Sequence, residues 1–210
     1  KIGDASYLKD LHKGQTIFGY VHAVQNRDIT DMLIDHSLTA IAWEDMNKGG
    51  RHVFWRNNEL AGEAAIMHAF SLYGKLPYDC KVAVIGGGNA AHGASRILAS
   101  LGAEIVVYNR RTDKLLREEI GNYDVIVNAV LWDTKRTDHL IYESDLKRMK
   151  QNAMIVDISC DLAGAIETSI PTPISDPVYM KDGILHYVVD HTPSLTFLTA
   201  TKVFGEVILK

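Results

Sequence analysis

Residues 81–111, KVAVIGGGNAAHGASRILASLGAEIVVYNRR, restrict the fold more than any other stretch of the chain. Residues 82–85 form a Val/Ile-rich run with no helical period that stops at three glycines, as a strand buried on both faces and ended by a turn would. Ala90, Ala94, Ile97, Leu98 and Leu101 then recur at helical spacing until Gly102, whose missing Cβ suits a left-handed helix stop. A second apolar run, residues 105–108, follows directly, which makes one strand–helix–strand unit with a right-handed crossover expected.

Within this unit Gly86-Gly87-Gly88-Asn89-Ala90-Ala91 fits the pattern G-x-G-x-x-G/A, with alanine in the last place. Each small residue has a reason: Gly86 for the tight turn, Gly88 for close approach of the backbone to a pyrophosphate, Ala91 for packing of helix on strand. The pyrophosphate would lie on the helix N-terminus beside Asn89, where unbonded N–H groups and the helix dipole favour negative charge. The end of the second strand separates the possible dinucleotides. An enzyme using NAD commonly carries Asp or Glu there for the ribose 2′-OH, whereas this chain carries Asn109, Arg110 and Arg111. Two guanidiniums and no carboxylate suit a 2′-phosphate, so the expected cofactor is NADP(H).

A formal charge of -4 leaves no electrostatic footprint for nucleic acid, and no basic run suggests a membrane surface. No apolar run is long enough to span a bilayer, and no signal peptide is evident. Two cysteines, Cys80 and Cys160, without a C-x-x-C pair indicate neither a disulfide framework nor a structural metal site, which fits a reducing cytoplasm. Small-molecule chemistry is the expectation. The chain opens at Lys1 without an initiator Met, so it is read as part of a longer protein.

Taken in order, residues 16–21, a helix over 28–36 and residues 38–43 repeat the strand–helix–strand pattern without phosphate-binding glycines. Glu44 and Asp45 follow the second of these strands; the plainer role for both is capping and bonding of nearby backbone N–H groups. Residues 52–55 are a short apolar-aromatic piece. A helix from Asn58, closed by Gly74 and Pro77, leads into the glycine turn, with His68 read as a packed side chain. Further strands are expected at 123–127, 153–158 and 184–189, with helices at 114–120 and 144–149 between them. The fold class is therefore α/β: a doubly wound parallel sheet of the Rossmann type plus a partial second α/β lobe. Residues 1–57 would form the partial substrate lobe and 58–192 the NADP-binding domain. Residues 193–210 would form a closing helix that returns to the first lobe.

In open parallel sheets ligands bind beyond the carboxyl ends of the strands, which selects His22, residues 128–132, Asp161 and Asp190-His191. A His and an Asp facing one another across a cleft make a proton-transfer pair, because imidazole titrates near neutrality and a carboxylate fixes its charge and orientation. Asp157 is read as structural.

The His22 segment YVHAVQNRDITDMLIDHSLTAIAWE, the AGEAA helix, the GGGNAAHGA turn, and IVDISCDLAGAIETSIPT followed by ILHYVVDHTPS together resemble the alanine dehydrogenase family. That family includes carboxyethylornithine synthase, saccharopine dehydrogenase and the nucleotide-binding domain of transhydrogenase. The likeness spans nearly the whole chain in the same order. It implies that His22 is the catalytic histidine and Asp161 the catalytic aspartate beside the nicotinamide. It places Gly86, Gly88 and Ala91 in the pyrophosphate turn, Asn109, Arg110 and Arg111 at the adenosine ribose, and Ala129, Val130 and Leu131 by the nicotinamide ribose. The family's substrate arginine would lie upstream of Lys1, and its substrate lysine falls at residues 1–3, where only Lys1 is available. Alanine dehydrogenases carry Asn-Met where this chain has His191-Thr192, and an Asp where it has the Arg pair. These departures point within the family to carboxyethylornithine synthase, which joins pyruvate to the side-chain amine of ornithine or lysine with NADPH. The rivals are an alanine dehydrogenase using ammonia and a transhydrogenase-like nucleotide-binding module. Asp190 or Asp133 is the candidate for holding a cationic amino acid, with His191 beside the former. Family members are homo-oligomers, so a dimer or larger assembly is implied.

Overall fold

The computed structural model describes residues 5–24, 26–133 and 135–209. The chain divides into two compact units, one running to Trp55 and including Leu209, the other Arg56–Ile208. In the first unit a 3-10 turn (Ala5–Asp10) precedes β1 (Thr16–Gly19), α1 (Arg27–Asp35) and β2 (Thr39–Ala42), and a short hairpin of β3 (Asn47–Lys48) and β4 (Arg51–His52) follows. β1 and β2 pair in parallel from Thr16↔Thr39 to Gly19↔Ala42, which realises the strand–helix–strand pattern of this segment. α1 starts where it does because the Asn26 side chain accepts the N–H groups of Asp28 and Ile29. Ile29 then packs with Leu8 and Val21 in a small core. The hairpin was not evident in the apolar reading of residues 52–55. Gly49 and Gly50, both with positive φ, turn it, as the primed two-residue turns of hairpins require.

The second unit contains α2 (Trp55–Tyr73), β5 (Lys81–Ile85), α3 (Asn89–Ser100), β6 (Glu104–Tyr108), α4 (Asp113–Glu119), β7 (Val125–Asn128), α5 (Glu143–Leu146), β8 (Met154–Asp157), β9 (Val178–Lys181), β10 (Ile184–Tyr187) and α6 (Phe197–Ile208). Its six-stranded sheet has the order β6-β5-β7-β8-β10-β9, and every pairing is parallel except β9 with β10. Successive residues of β5 serve opposite faces. Val82 and Val84 pack with Ile66, Ala69, Ala91 and Leu98 of α2 and α3, while Ala83 and Ile85 pack with Leu116 of α4 and Leu146 of α5. Both faces are thus covered by helices, which is why the strand reads as an unbroken apolar run. Full burial of each such Val or Ile contributes about 1.5–3 kcal/mol.

Two features depart from the sequence reading. β9, residues VYMK with half-exposed side chains, is too short and too mixed to announce itself; it is fixed by the Asp182-Gly183 turn, both residues with positive φ, which folds it back along β10. The final helix begins at Phe197, after a 3-10 turn (Thr192–Thr196) entered through His191 in the left-handed region.

Candidate functional site

The site grows from the carboxyl ends of β5, β7 and β8. These strands are in register at their ends, Ile85 beside Asn128 and Asn128 beside Asp157, so the chain leaves all three at the same level of the sheet. β6 lies on one side of β5 and β7 on the other, so the strand order reverses at β5, the place where open α/β sheets bind their ligands. Gly86 is obligatory there for two reasons. Its φ is +125°, and a Cβ would lie 2.8 Å from the Ala129 carbonyl oxygen.

Gly88 caps α3 in extended conformation with no side-chain cap, and a Cβ on it or on Gly87 would meet nothing within 4 Å. The first turn of α3 therefore opens onto free space. Its first internal bond runs from His92 N–H to Gly88 O, so the N–H groups of Asn89, Ala90 and Ala91 precede the helix's own bonding and are suited to an anion. The residues present fit a dinucleotide pyrophosphate. Ala91 is buried against the sheet, as the packing position of the motif should be. The tightest packing lies elsewhere: a Cβ on Gly62 of α2 would sit 2.0 Å from Ala90 O, and one on Gly93 of α3 would sit 2.0 Å from Glu59 O. Arg56 and Arg96 bridge Glu59 and Glu63 beside this crossing.

At the end of β6 Asn109 folds the chain by accepting Arg111 N–H at 2.9 Å, and Thr112 Oγ1 accepts Asn109 N–H at 2.9 Å. Arg110 and Arg111 are exposed, and among the described residues neither has a carboxylate at ion-pair distance.

The loops after β7 and β8 are joined by Asp157. This fully buried carboxylate accepts Asn128 Nδ2 at 2.8 Å, the Ser159 N–H at 3.1 Å and the Ser169 hydroxyl, and Ser159 Oγ in turn donates to the Val130 carbonyl. Burial raises the Asp157 carboxyl even against these donors. The sequence reads Asp157 as structural; it is fully buried and ties together the Ala129–Val130 and Ser159–Asp161 segments. Leu131 is 91% exposed beyond them.

Asp161 is half-buried, and burial first, then the nearby Asp157, push its carboxyl up to about 6. Its backbone surroundings are strained: Cys160 and Ala163 have φ of +56° and +45°, values a non-glycine residue adopts only when its neighbours enforce them. Gly164 is needed beside them because a Cβ would lie 2.5 Å from Asp161 Cβ and 3.3 Å from the Trp132 ring. Trp132, the last of the residues selected after β7, lies beside this loop, with the Arg136 guanidinium 4.2 Å over its ring; the sequence gave its place after a strand and not its contact with Gly164. Past β10, Asp190 Oδ2 pairs with His191 Nδ1 at 2.6 Å, His191 has φ +65°, and its buried Nε2 has no partner among the described residues.

In the first unit His22 follows β1. Its φ is +54°, its ring stacks on Tyr20 at 5.9 Å and 11°, and its carbonyl accepts Asn26 N–H at 3.1 Å. Lys1 lies outside the described residues.

The sequence profile of "Alanine dehydrogenase/PNT, C-terminal domain" matches residues 110–210. The chain is 30% identical to an N(5)-(carboxyethyl)ornithine synthase of Clostridium botulinum over 96% of its own length and 68% of that protein. The chain belongs to the alanine dehydrogenase/PNT family. An alanine dehydrogenase of Halomonas elongata is 29% identical to it, over 94% of this chain and 63% of that protein. A solved L-alanine dehydrogenase superposes with TM-score 0.78 at 23% identity, covering 97% of this chain and 66% of the other, and so shares the fold. The chain thus spans about two thirds of the length of these relatives. This is a pyridine-nucleotide oxidoreductase family. Among the described residues no helix is long and apolar enough to cross a membrane, and no three His, Cys, Asp or Glu side chains gather to hold a metal ion.

Proposed function

We propose that the chain is the nucleotide-binding and catalytic part of an NADPH-dependent enzyme that condenses pyruvate reductively with the side-chain amine of ornithine or lysine. The observation that carries this reading is the end of β6, where Arg110 and Arg111 stand exposed without carboxylate partners among the described residues, at the position that meets the adenosine ribose. The name of the Clostridium botulinum relative supports the reaction class.

Gly86, Gly88, Asn89 and Ala91 would hold the pyrophosphate on the first turn of α3, Asn109, Arg110 and Arg111 the 2′-phosphate, and Ala129, Val130 and Leu131 the nicotinamide ribose. The bound nicotinamide supplies a hydride. The amine nitrogen attacks C2 of pyruvate, a proton passes from nitrogen to oxygen, and water leaves to give an imine. A proton on the imine nitrogen and a hydride equivalent, two electrons and one proton, on the imine carbon then give the secondary amine. His22 exchanges protons with the carbonyl oxygen, and ionised Asp161 stabilises the cationic iminium or imidazolium, an electrostatic effect of roughly several kcal/mol in a poorly hydrated site. Asp190 and His191 would receive the amino acid, with Lys1 at the pyruvate carboxylate. Residues 1–57 would then be part of a substrate lobe, residues 58–192 the NADP domain and 193–210 a closing helix, in a cytoplasmic homo-oligomer.

The test measures affinity for NADPH against NADH, then NADPH oxidation with pyruvate and ornithine, lysine or ammonia. Tighter NADPH binding and turnover with ornithine or lysine are expected, together with loss of turnover and intact NADPH binding in His22→Ala. Turnover with ammonia alone would replace this reading with an alanine dehydrogenase, as the Halomonas elongata relative suggests. Preference for NADH would remove the Arg pair from the argument.

A further inference from the structure

Glu44 is half-buried in the 3-10 turn that follows β2 (Trp43–Asp45). Its sequence position suggested capping and bonding of nearby backbone N–H groups, without saying which. The register of the parallel pair gives it a specific target. Gly19 at the end of β1 lies opposite Ala42 at the end of β2, so the residues two or three beyond each strand end meet. Glu44 Oε2 accepts the Val21 N–H at 3.1 Å, and Oε1 accepts the N–H groups of both Val21 and His22.

His22 is thereby gripped on both sides of its Cα. Its N–H is held by a carboxylate and its C=O by Asn26 N–H, the same Asn26 whose side chain caps α1. The φ of +54° between those anchors lies in the left-handed region, which a non-glycine residue adopts uncommonly. That backbone angle sets the direction of the Cα–Cβ bond from which the imidazole reaches its stacking on Tyr20, and a carboxylate is the acceptor best able to hold two adjacent N–H groups at once. Glu44 joins one side of the grip to the end of β2 and Asn26 joins the other to the start of α1, so the loop that carries His22 is tied to both elements.

We propose that Glu44 is the positioning residue for His22, acting through the backbone and touching no substrate. This rests on the reading of His22 as the proton-exchanging group, and the test keeps the two apart. The first measurement needs no turnover: the His22 ring Cε1–H resonance, assigned by its loss in His22→Ala, is followed against pH in the wild type, Glu44→Gln and Glu44→Ala. A displaced or doubled His22 resonance with an altered titration midpoint is expected in both variants, larger in Glu44→Ala, while the other histidines stay in place. An unmoved resonance overturns the proposal whatever the activity shows. The second measurement is kinetic. Glu44→Ala should lower kcat about 100-fold, as displacement of a reacting group by about 1 Å does, with NADPH affinity unchanged and Glu44→Gln intermediate. Added to His22→Ala it should lower the residual rate no further. A further loss in that background would show a role of Glu44 that bypasses His22. Normal turnover of His22→Ala would overturn the mechanism and leave the resonance to decide the positioning. Should Glu44→Ala fail to fold, Glu44→Gln, which keeps the volume and one acceptor oxygen, carries both measurements.

Discussion

Replacing Gly93 with alanine is expected to unseat α3 from α2. Helix propensity alone predicts the opposite, since alanine in a helix interior is favoured over glycine by about 1 kcal/mol. The added Cβ, however, would stand 2.0 Å from Glu59 O and 2.8 Å from Glu59 C, and both are backbone atoms of a helix that cannot swing aside as a side chain would. The two helices must separate by about 1 Å to reach even the tightest tolerated contact, and Gly62, 2.0 Å from Ala90 O by the same construction, leaves no room to slide. Overpacking of this kind costs about 1–3 kcal/mol and sometimes more, and contact with backbone puts this site at the upper end. After the propensity gain a loss of about 2 kcal/mol remains. For a unit of roughly 150 residues that lowers the thermal midpoint by about 4–8 °C. Because α3 begins at the turn proposed to hold the pyrophosphate, affinity for NADPH should fall too. Thermal unfolding followed by circular dichroism, with NADPH fluorescence titration, reads both effects. A midpoint that is unchanged or raised would refute the packing argument.

The remaining expectations concern charge and loop geometry. Arg110→Ala with Arg111→Ala should weaken NADPH binding by about 2–4 kcal/mol, the worth of one or two charge-assisted contacts, while NADH affinity measured by the same titration stays put; equal losses for both cofactors would speak against a 2′-phosphate contact. Asp161, raised from 3.8 to about 6, adds stability that is complete below pH about 4 and lost as pH rises through about 6. Asp161→Asn should flatten that slope, worth about 1–2 kcal/mol once its partial exposure is allowed for, in urea melts at pH 4 and 7. The wild-type rate should show the reverse sense, falling as pH drops below about 6 and the carboxylate is protonated. Gly164→Ala, whose Cβ would crowd Asp161 Cβ at 2.5 Å, should lower kcat about 100-fold with NADPH affinity retained, and a normal kcat would mean that the loop yields freely.

The central unit was legible because its signals are local. The apolar run of β5, the three glycines and the period of α3 sit next to one another in the chain, so the turn could be placed before any contact was known. The same holds for Glu44, whose capping role follows from its place after a strand, although only the β1–β2 register shows which N–H groups it caps. Contacts between distant segments were not legible. Nothing in the neighbourhood of Gly62 or Gly93 says that each faces the other helix's backbone, and an isolated glycine in a helical pattern looks merely unfavourable. Trp132 meets Gly164 through a loop with no periodicity, and β9 depends on a two-residue turn within a stretch of mixed polarity. Asp157 reads from the sequence as structural, and its bonds to Asn128 and Ser169 come from segments that no local pattern connects to it.

That buried carboxylate has a consequence for how the enzyme can change. Since Asn128 precedes the Ala129–Leu131 segment and Ser159 precedes Asp161, and one side chain holds both, amino-acid replacements in either segment alter the resting geometry of the other. Their effects will not add. A variant library that diversifies the two stretches separately and merges the winners would miss combinations that work only as pairs, so a new substrate preference is better sought by changing them in concert.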